Sequence, residues 1–281
     1  MTRRWQLAHG RFLDIGAKAL VMGILNITPD SFSDGGLFNA PERAMEQARR
    51  MVGEGASIID VGGESTRPDA TPVSAQEEQA RILPIIRALA ASGDTLISVD
   101  TYREETARLA VAAGAHIVND VWGLQREPGI GNVAAETGAG LVIMHTGRER
   151  EKDPDVIVDQ FRFLEKSLLL ARQAGVDEAQ IVLDPGFGFA KDSEENLQLM
   201  ARFGELRVLD FPWLIGTSRK RFVGYVSGKE FEARDAATTA TSVALRLKGA
   251  ELFRVHNVAM NADALAVADA ILARETGNAT K

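Results

Sequence analysis

A chain of 281 residues, 45% hydrophobic and 25% charged, has the composition of a folded globular protein and not of a disordered or fibrous one. Its formal charge of −7, from 32 Lys and Arg against 39 Asp and Glu, gives no general attraction to nucleic acid or to an anionic membrane. The lack of cysteine excludes disulfides, thiolate metal sites, iron–sulfur clusters and a cysteine nucleophile, and suits a cytoplasmic protein.

The opening residues, MTRRWQLAHGRFLDIG, are basic but carry no apolar stretch long enough for a signal peptide. No run of about 20 apolar residues follows, so no membrane span is expected. Alternating apolar positions around His9-Gly10 predict a short N-terminal hairpin that closes one end of the fold. Eight short apolar runs come next: ALVMGILNIT (19–28), SIIDVGG (57–63), LISVDT (96–101), HIVND (116–120), GLVIMH (140–145), QIVLDPG (180–186), FPWLIGTS (211–218) and ELFRVHN (251–257). Continuous β-branched runs of this length read as parallel strands buried on both faces. Helical stretches separate them, at 41–54, 74–91, 103–113, 132–137, 154–174, 194–203, 234–248 and 260–273. Ser74 with Glu77 three residues later forms a capping-box pattern, and Gly55, Gly93, Gly114, Gly138, Gly175 and Gly249 stand where left-handed C-caps belong.

Roughly eight strand–helix units at about 30-residue spacing predict an α/β fold, a (β/α)8 TIM barrel with a short N-terminal hairpin. A doubly wound sheet is the alternative, but no G-x-G-x-x-G follows the first strand. The chain reads as one domain over 1–281, with a frayed tail from about 275.

Barrel chemistry sits at the C-terminal ends of the strands. Every predicted strand ends in polar residues, which are costly near a core unless paired or used. Asp100, Asn119 and Asp184 are compact acceptors and amides suited to a flat heterocycle with several N–H groups. Arg67, Lys220, Arg254 and His256 are cations or donors, which in an acidic chain suggest a bound phosphate or diphosphate. Ser218, Arg219 and Lys220 follow the seventh strand, where barrels often bind phosphate. The long polar loops 26–36 and 64–72 have the composition of lids. Other polar residues read as structural: His145 as a hydrogen-bonded core histidine, His9 and His116 as packing residues, Asp60 as a loop brace, Asp120 as facing away from the mouth, Trp122 and Trp213 as core. The run 148–152 reads as a solvated face.

The segments MGILNITPDSFSDGG, IIDVGGESTRP, SVDTYR, IVNDVWG, LDPGFGFAK, GTSRKRF and RVHNV, in that order over 22–258, resemble the signatures of the dihydropteroate synthase family in the pterin-binding barrel superfamily. The resemblance implies an enzyme of folate biosynthesis that joins a dihydropterin methyl diphosphate to 4-aminobenzoate, with Mg2+ as cofactor and a homodimer as the common assembly. It implies pterin binding by Asp100, Asn119, Asp184, Lys220 and Arg254. It implies diphosphate binding by Asn26, Arg67, Arg254 and His256, with Asn26 beside the metal. Thr66, Pro68, Phe189 and Ser218 match the 4-aminobenzoate pocket, and Arg67, Lys220, Asp34 and Phe32 match the catalytic set. Departures stand at Asp69, Arg221, Asn257 and the loop 146–153. The resemblance also admits a methyltetrahydrofolate–corrinoid methyltransferase or a non-catalytic pterin-binding protein as alternatives. The first is not expected to need the STRP, SRK and RVH segments, and the second is expected to lack Arg67 or Lys220.

Overall fold

The computed structural model describes residues 2–27, 40–64, 72–93 and 95–275. Strands β1 (Arg3–Gln6) and β2 (Phe12–Ile15) pair antiparallel as the predicted hairpin. The chain then alternates through β3 (Leu20–Asn26), α1 (Ala40–Gly53), β4 (Ile58–Gly62), α2 (Ala75–Ser92), β5 (Leu96–Asp100), α3 (Glu104–Ala112), β6 (Ile117–Asp120) and α4 (Gly129–Thr137). It continues through β7 (Gly140–Met144), α5 (Val156–Gln173), β8 (Ile181–Asp184), α6 (Ser193–Arg202), β9 (Leu214–Ile215), α7 (Arg221–Ser227), α8 (Asp235–Leu247), β10 (Leu252–Val255) and α9 (Val258–Glu275). The eight strands β3–β10 are parallel, in the order β8-β7-β6-β5-β4-β3-β10-β9. A Leu183–Trp213 bridge, with the Leu183 amide donating to the Pro212 carbonyl at 2.9 Å, joins the two ends of the sheet into a TIM barrel.

Helix signals in the sequence act where expected. Ser74 Oγ accepts from the Glu77 amide at 3.1 Å, and Gly138 ends α4 at φ 68°, in the left-handed region that favours glycine. Three elements differ from the sequence reading. Helix α4 begins at Gly129 and not at residue 132, with Ile130 and Gly131 buried in its first turn. The seventh barrel strand shrinks to Leu214–Ile215: Pro212 has no N–H for the ladder, and the chain beyond Ile215 turns toward the mouth. Helix α7, only seven residues long, forms because Phe222 and Val223 are buried, although its own sequence is a weak helix former.

The hairpin plugs the lower end of the barrel. Trp5, Leu7 and Ile15 pack against one inward side chain from each barrel strand: Met22, Ile58, Leu96, Ile117, Val142, Val182, Leu214 and Leu252. Trp5 is 2% exposed and its indole N–H donates to the Gln180 carbonyl at 2.7 Å. Replacing it by alanine removes a large buried ring and strands that carbonyl. Trp5→Ala is therefore expected to cost about 3–5 kcal/mol in urea unfolding, the scale of a buried aromatic truncation; a loss under about 1 kcal/mol contradicts the role of the plug.

Candidate active site

The plug fixes which polar side chains point inward. Side chains alternate along a strand, so positions two and four above the plug share its face. Above Ile58 stands Asp60; above Leu96, Ser98 and Asp100; above Ile117, Asn119; above Val182, Asp184; above Leu252, Arg254 and then His256. Parallel register sets Asn26 beside Gly62, Gly62 beside Asp100, and Asp100 beside Asn119. Apolar layers thus give way to one polar cup at the C-terminal end of the barrel.

The cup is a cavity of about 1380 Å³. Its lining includes Asn26, Asp100, Asn119, Asp184, Phe189, Ser218, Lys220, Arg254 and His256. Every site residue expected from the sequence that lies among the described residues is therefore in one place. Phe32, Asp34, Thr66, Arg67, Pro68 and the departure at Asp69 lie outside the described residues.

Arg254 organises the floor. Its Nε donates to Asp60 Oδ2 at 2.6 Å and a terminal nitrogen donates to Asp100 Oδ2 at 2.7 Å. The Asn119 amide donates to the same Asp60 oxygen at 3.4 Å. Asp60 is fully buried, so instead of bracing loops it anchors Arg254. Across the cup, the Gly186 amide donates to Asp184 Oδ1 at 2.7 Å. The Lys220 ammonium lies 4.2 Å from the centre of the Phe189 ring, a cation–π contact at the edge of the cup.

Burial governs the charge states. It pushes the Asp100 carboxyl up to about 7 against the pull of Arg254 and Lys220, with Asp60 and Glu78 adding to the rise. It pushes Asp184 up to about 6, opposed by the Gly186 amide and by Lys220, Arg254 and Lys191. Burial and the neighbouring Arg254 bring Lys220 down to about 8, opposed by Asp184 and Asp100. Burial, Arg219, Arg254 and Lys220 hold His256 down to about 3, so its imidazole is neutral at pH 7 and serves as a donor, not a cation.

Ser218 is the hydrogen-bond partner of His256. Its Oγ accepts from the His256 backbone amide at 3.1 Å and lies 2.8 Å from Nδ1. When the hydroxyl donates to Nδ1, Nε2–H is left as the ring's donor. Ser218→Ala removes this partner. In the diphosphate-binding role that the resemblance implies for His256, it is expected to weaken diphosphate binding about three- to tenfold, the value of one modest hydrogen bond, with little change in pterin affinity. Competition calorimetry with diphosphate checks this, and equal binding in the two proteins would refute it.

The run 148–152 corrects the sequence reading of a solvated face. Arg148 lines the cup with its guanidinium carbon 4.7 Å from the Phe189 ring centre, Arg150 pairs with buried Asp159, and Lys152 donates to the Ala190 carbonyl at 2.8 Å. Charge alone placed these side chains in solvent; the loop after β7 folds back over the mouth. Arg219 also lines the cup, paired with Asp235 at 2.6 Å. His145, Asp120 and Trp213 are buried as expected, and both Asp120 oxygens accept backbone amides, at 2.8 Å from Trp122 and 2.6 Å from Leu124.

The chain resembles known proteins over nearly its whole length. Residues 22–256 match the family described as "Pterin binding enzyme". A dihydropteroate synthase of Bacillus subtilis (strain 168) is 45% identical over 255 residues, 91% of this chain and 89% of that protein. A crystal structure of dihydropteroate synthase from Clostridium difficile, determined in the presence of pteroic acid, superposes with a TM-score of 0.90 at 42% identity, covering 92% of this chain and 98% of that one. The Xanthomonas albilineans dihydropteroate synthase solved with 4-aminobenzoic acid also gives a TM-score of 0.90 at 42% identity, over 95% and 98% of the two chains. A cup built at the strand ends of such a barrel, and likeness of this extent, lead to one conclusion: the chain belongs to the dihydropteroate synthase family of pterin-binding enzymes.

Proposed function

We propose that the cup condenses (7,8-dihydropterin-6-yl)methyl diphosphate with 4-aminobenzoate, giving 7,8-dihydropteroate and diphosphate. The observation that carries this reading is the convergence in one cavity of Asp100, Asn119 and Asp184 at the floor with Lys220, Arg254, Ser218 and His256 around them. The similar enzymes from Clostridium difficile and Xanthomonas albilineans, with pteroic acid and 4-aminobenzoic acid respectively, support the skeleton of the product and the acceptor substrate.

The carboxylates and the Asn119 amide accept and donate along the edge of a flat ring, which orients its methylene toward the rim. Arg254, the His256 Nε2–H and, from the sequence, Arg67 receive the growing charge on the diphosphate. The carbon–oxygen bond breaks and its electron pair leaves with the diphosphate. The methylene cation is conjugated with the pterin ring and lies above two buried carboxylates. The neutral amine of 4-aminobenzoate then forms the carbon–nitrogen bond and gives up one proton, and no strong general base is required. Phe189, between Lys220 and Arg148, lines the acceptor's side of the cup. Pro68, Thr66, Phe32 and Asp34 complete the site in this reading.

Asn26, at the exposed end of β3, offers one amide oxygen, and no group of three or more His, Asp or Glu gathers as a metal cage among the described residues. Mg2+ keeps several waters and takes one or two protein oxygens with substrate phosphates. This donor set fits an ion that arrives on the diphosphate and touches Asn26. When bound, Mg2+ neutralises diphosphate charge.

A homodimer in the cytoplasm completes the proposal. Exposed Tyr225 and Val226 on α7 and Met260, Val267 and Ile271 on α9 supply apolar surface for a second copy, and sedimentation velocity at micromolar concentration tests it. Among the described residues, no helix is long and apolar enough to cross a membrane.

The deciding experiment incubates purified protein with the pterin diphosphate, 4-aminobenzoate and Mg2+ and looks for dihydropteroate by mass spectrometry. Tight pterin binding without product supports a non-catalytic pterin-binding protein instead. Methyl transfer from methyltetrahydrofolate to a corrinoid supports the methyltransferase.

A further inference from the structure

From Lys191 in the lining of the cup, a buried polar chain that the chemistry above does not use runs outward through the wall. Lys191, 9% exposed, follows β8 and turns inward; its Nζ donates to the Gly186 carbonyl at 2.9 Å and lies 2.8 Å from His145 Nδ1. His145, fully buried after β7, places Nε2 3.0 Å from Asp159 Oδ2 of α5. Arg150 donates to both Asp159 oxygens, at 2.8 and 2.6 Å.

The proton arrangement follows from these contacts. Burial and the charge on Lys191 bring His145 down to about 3, so its ring is neutral. Burial alone would raise Asp159, but hydrogen bonds from Arg150 and His145 outweigh it and hold the carboxyl well below its usual range. Burial brings Lys191 down to about 7, so on the acid side of pH 7 it is an ammonium from which Nδ1 accepts; Nε2–H then donates to Asp159, beside the Arg150 terminal nitrogen at 2.9 Å. Each side chain orients the next, and the ammonium is aimed at Gly186.

Gly186 links this chain to the cup. Its amide holds Asp184 Oδ1, while its carbonyl receives both Lys191 and, at 3.1 Å, the Phe189 amide. Its φ is 64°, and a Cβ there would come within 1.8 Å of the His145 carbonyl oxygen, so only glycine fits. Phe189 is tied in turn by its carbonyl to the Gly147 amide at 3.2 Å.

We propose that Lys191 is a positioning residue: resting on the reaction proposed above, its ammonium, aimed by His145 and Asp159, clamps the Gly186 carbonyl and so fixes both the Asp184 carboxylate that receives the pterin and the Phe189 ring beside the acceptor. Its charge also acts on Asp184. The groups facing Asp184 are the Gly186 amide, Lys220 from beyond β9, Arg254 from β10 and Lys191. Those facing Lys191 are Asp184, His145, Asp159, Arg150 and Lys152. Loss of Lys191 removes one of three cations that favour the ionised form of Asp184, so Asp184 protonates at higher pH.

The test compares Lys191→Met, Lys191→Arg and His145→Gln with the parent protein. Binding of a non-reactive pterin analogue is measured by calorimetry from pH 5 to 8, and kcat and KM for 4-aminobenzoate are measured separately. Lys191→Met is expected to lose about tenfold in analogue affinity at pH 7, to shift the acid step near pH 6 upward, and to raise KM more than it lowers kcat. Lys191→Arg keeps the acid step in place. His145→Gln, which preserves an acceptor toward Lys191 and a donor toward Asp159, stays near the parent. A folded Lys191→Met protein with unchanged acid step and unchanged KM overturns the proposal. If that variant does not fold, His145→Leu leaves the lysine but removes its acceptor. With the cation still present the acid step stays in place, while the loss of analogue affinity and the rise in KM are expected as before, and their absence overturns the proposal equally. Analogue binding needs no turnover, so a parent protein that binds the analogue but does not condense overturns the reaction and leaves this test intact.

Discussion

Arg254→Ala is expected to lower kcat/KM for the condensation by about 10²–10³-fold, the loss typical of removing one preorganised donor to developing anionic charge. A second loss adds to it. Arg254 bridges Asp60 and Asp100, and it opposes the burial that has already brought Asp100 up to about 7. Without the guanidinium, Asp100 moves higher and is neutral at physiological pH, where it can no longer accept from a ring N–H as a carboxylate. Asp60, fully buried, loses its charged partner as well. Breaking a buried pair in this way costs about 3–5 kcal/mol of stability, so urea unfolding should move together with activity. Arg254→Lys keeps a charge but cannot reach both carboxylates in the same fork, and an intermediate result is expected. Steady-state rates of Arg254→Ala within about threefold of the parent would remove Arg254 from the mechanism.

Asp184→Asn is expected to weaken pterin-analogue binding by about 1–3 kcal/mol, the worth of one buried hydrogen bond to a charged group. The substitution preserves shape and leaves an oxygen for the Gly186 amide, so the turn after β8 should hold. The pH dependence gives the sharper reading. Burial raises Asp184 to about 6, above its ordinary value, so the carboxylate is ionised at pH 7 and protonates as pH falls through 6. Analogue affinity in the parent should therefore fall on the acid side of pH 6. Asparagine does not titrate, and the step near pH 6 should vanish in the variant, while a step near pH 7 from Asp100 persists. Calorimetry over this range checks both, and a variant that retains the lower step would assign it to another group.

Much of this molecule is written locally. Eight β-branched runs alternating with amphipathic stretches announce parallel strands and crossovers, because a two-residue period and a 3.6-residue period are properties of neighbouring residues. Given the barrel, the polar residues at the strand ends could be gathered into one mouth from the sequence, and Asp100, Asn119, Asp184, Lys220 and Arg254 meet there. What the sequence could not show is direction and partnership. Lys191 and Phe189 stand in the same glycine-rich turn and both line the cup, yet only Lys191 reaches back to His145 and the Gly186 carbonyl. Arg148 and Lys152 look alike by charge, and only the return of the loop after β7 brings the first over Phe189. Helix α7 forms because Phe222 and Val223 are buried, and burial is a property of the whole fold.

The sequence alone thus determined the barrel, its hairpin plug and the chemical types around the mouth, since periodicity and strand-end polarity depend on short spans of chain. The tertiary structure alone decided that Arg254 meets Asp60 across 194 positions, that His256 is neutral and that Lys191 holds the carbonyl of Gly186, whose amide holds Asp184. Closing the ring creates those contacts, and only once they are made does burial set the charge each group carries.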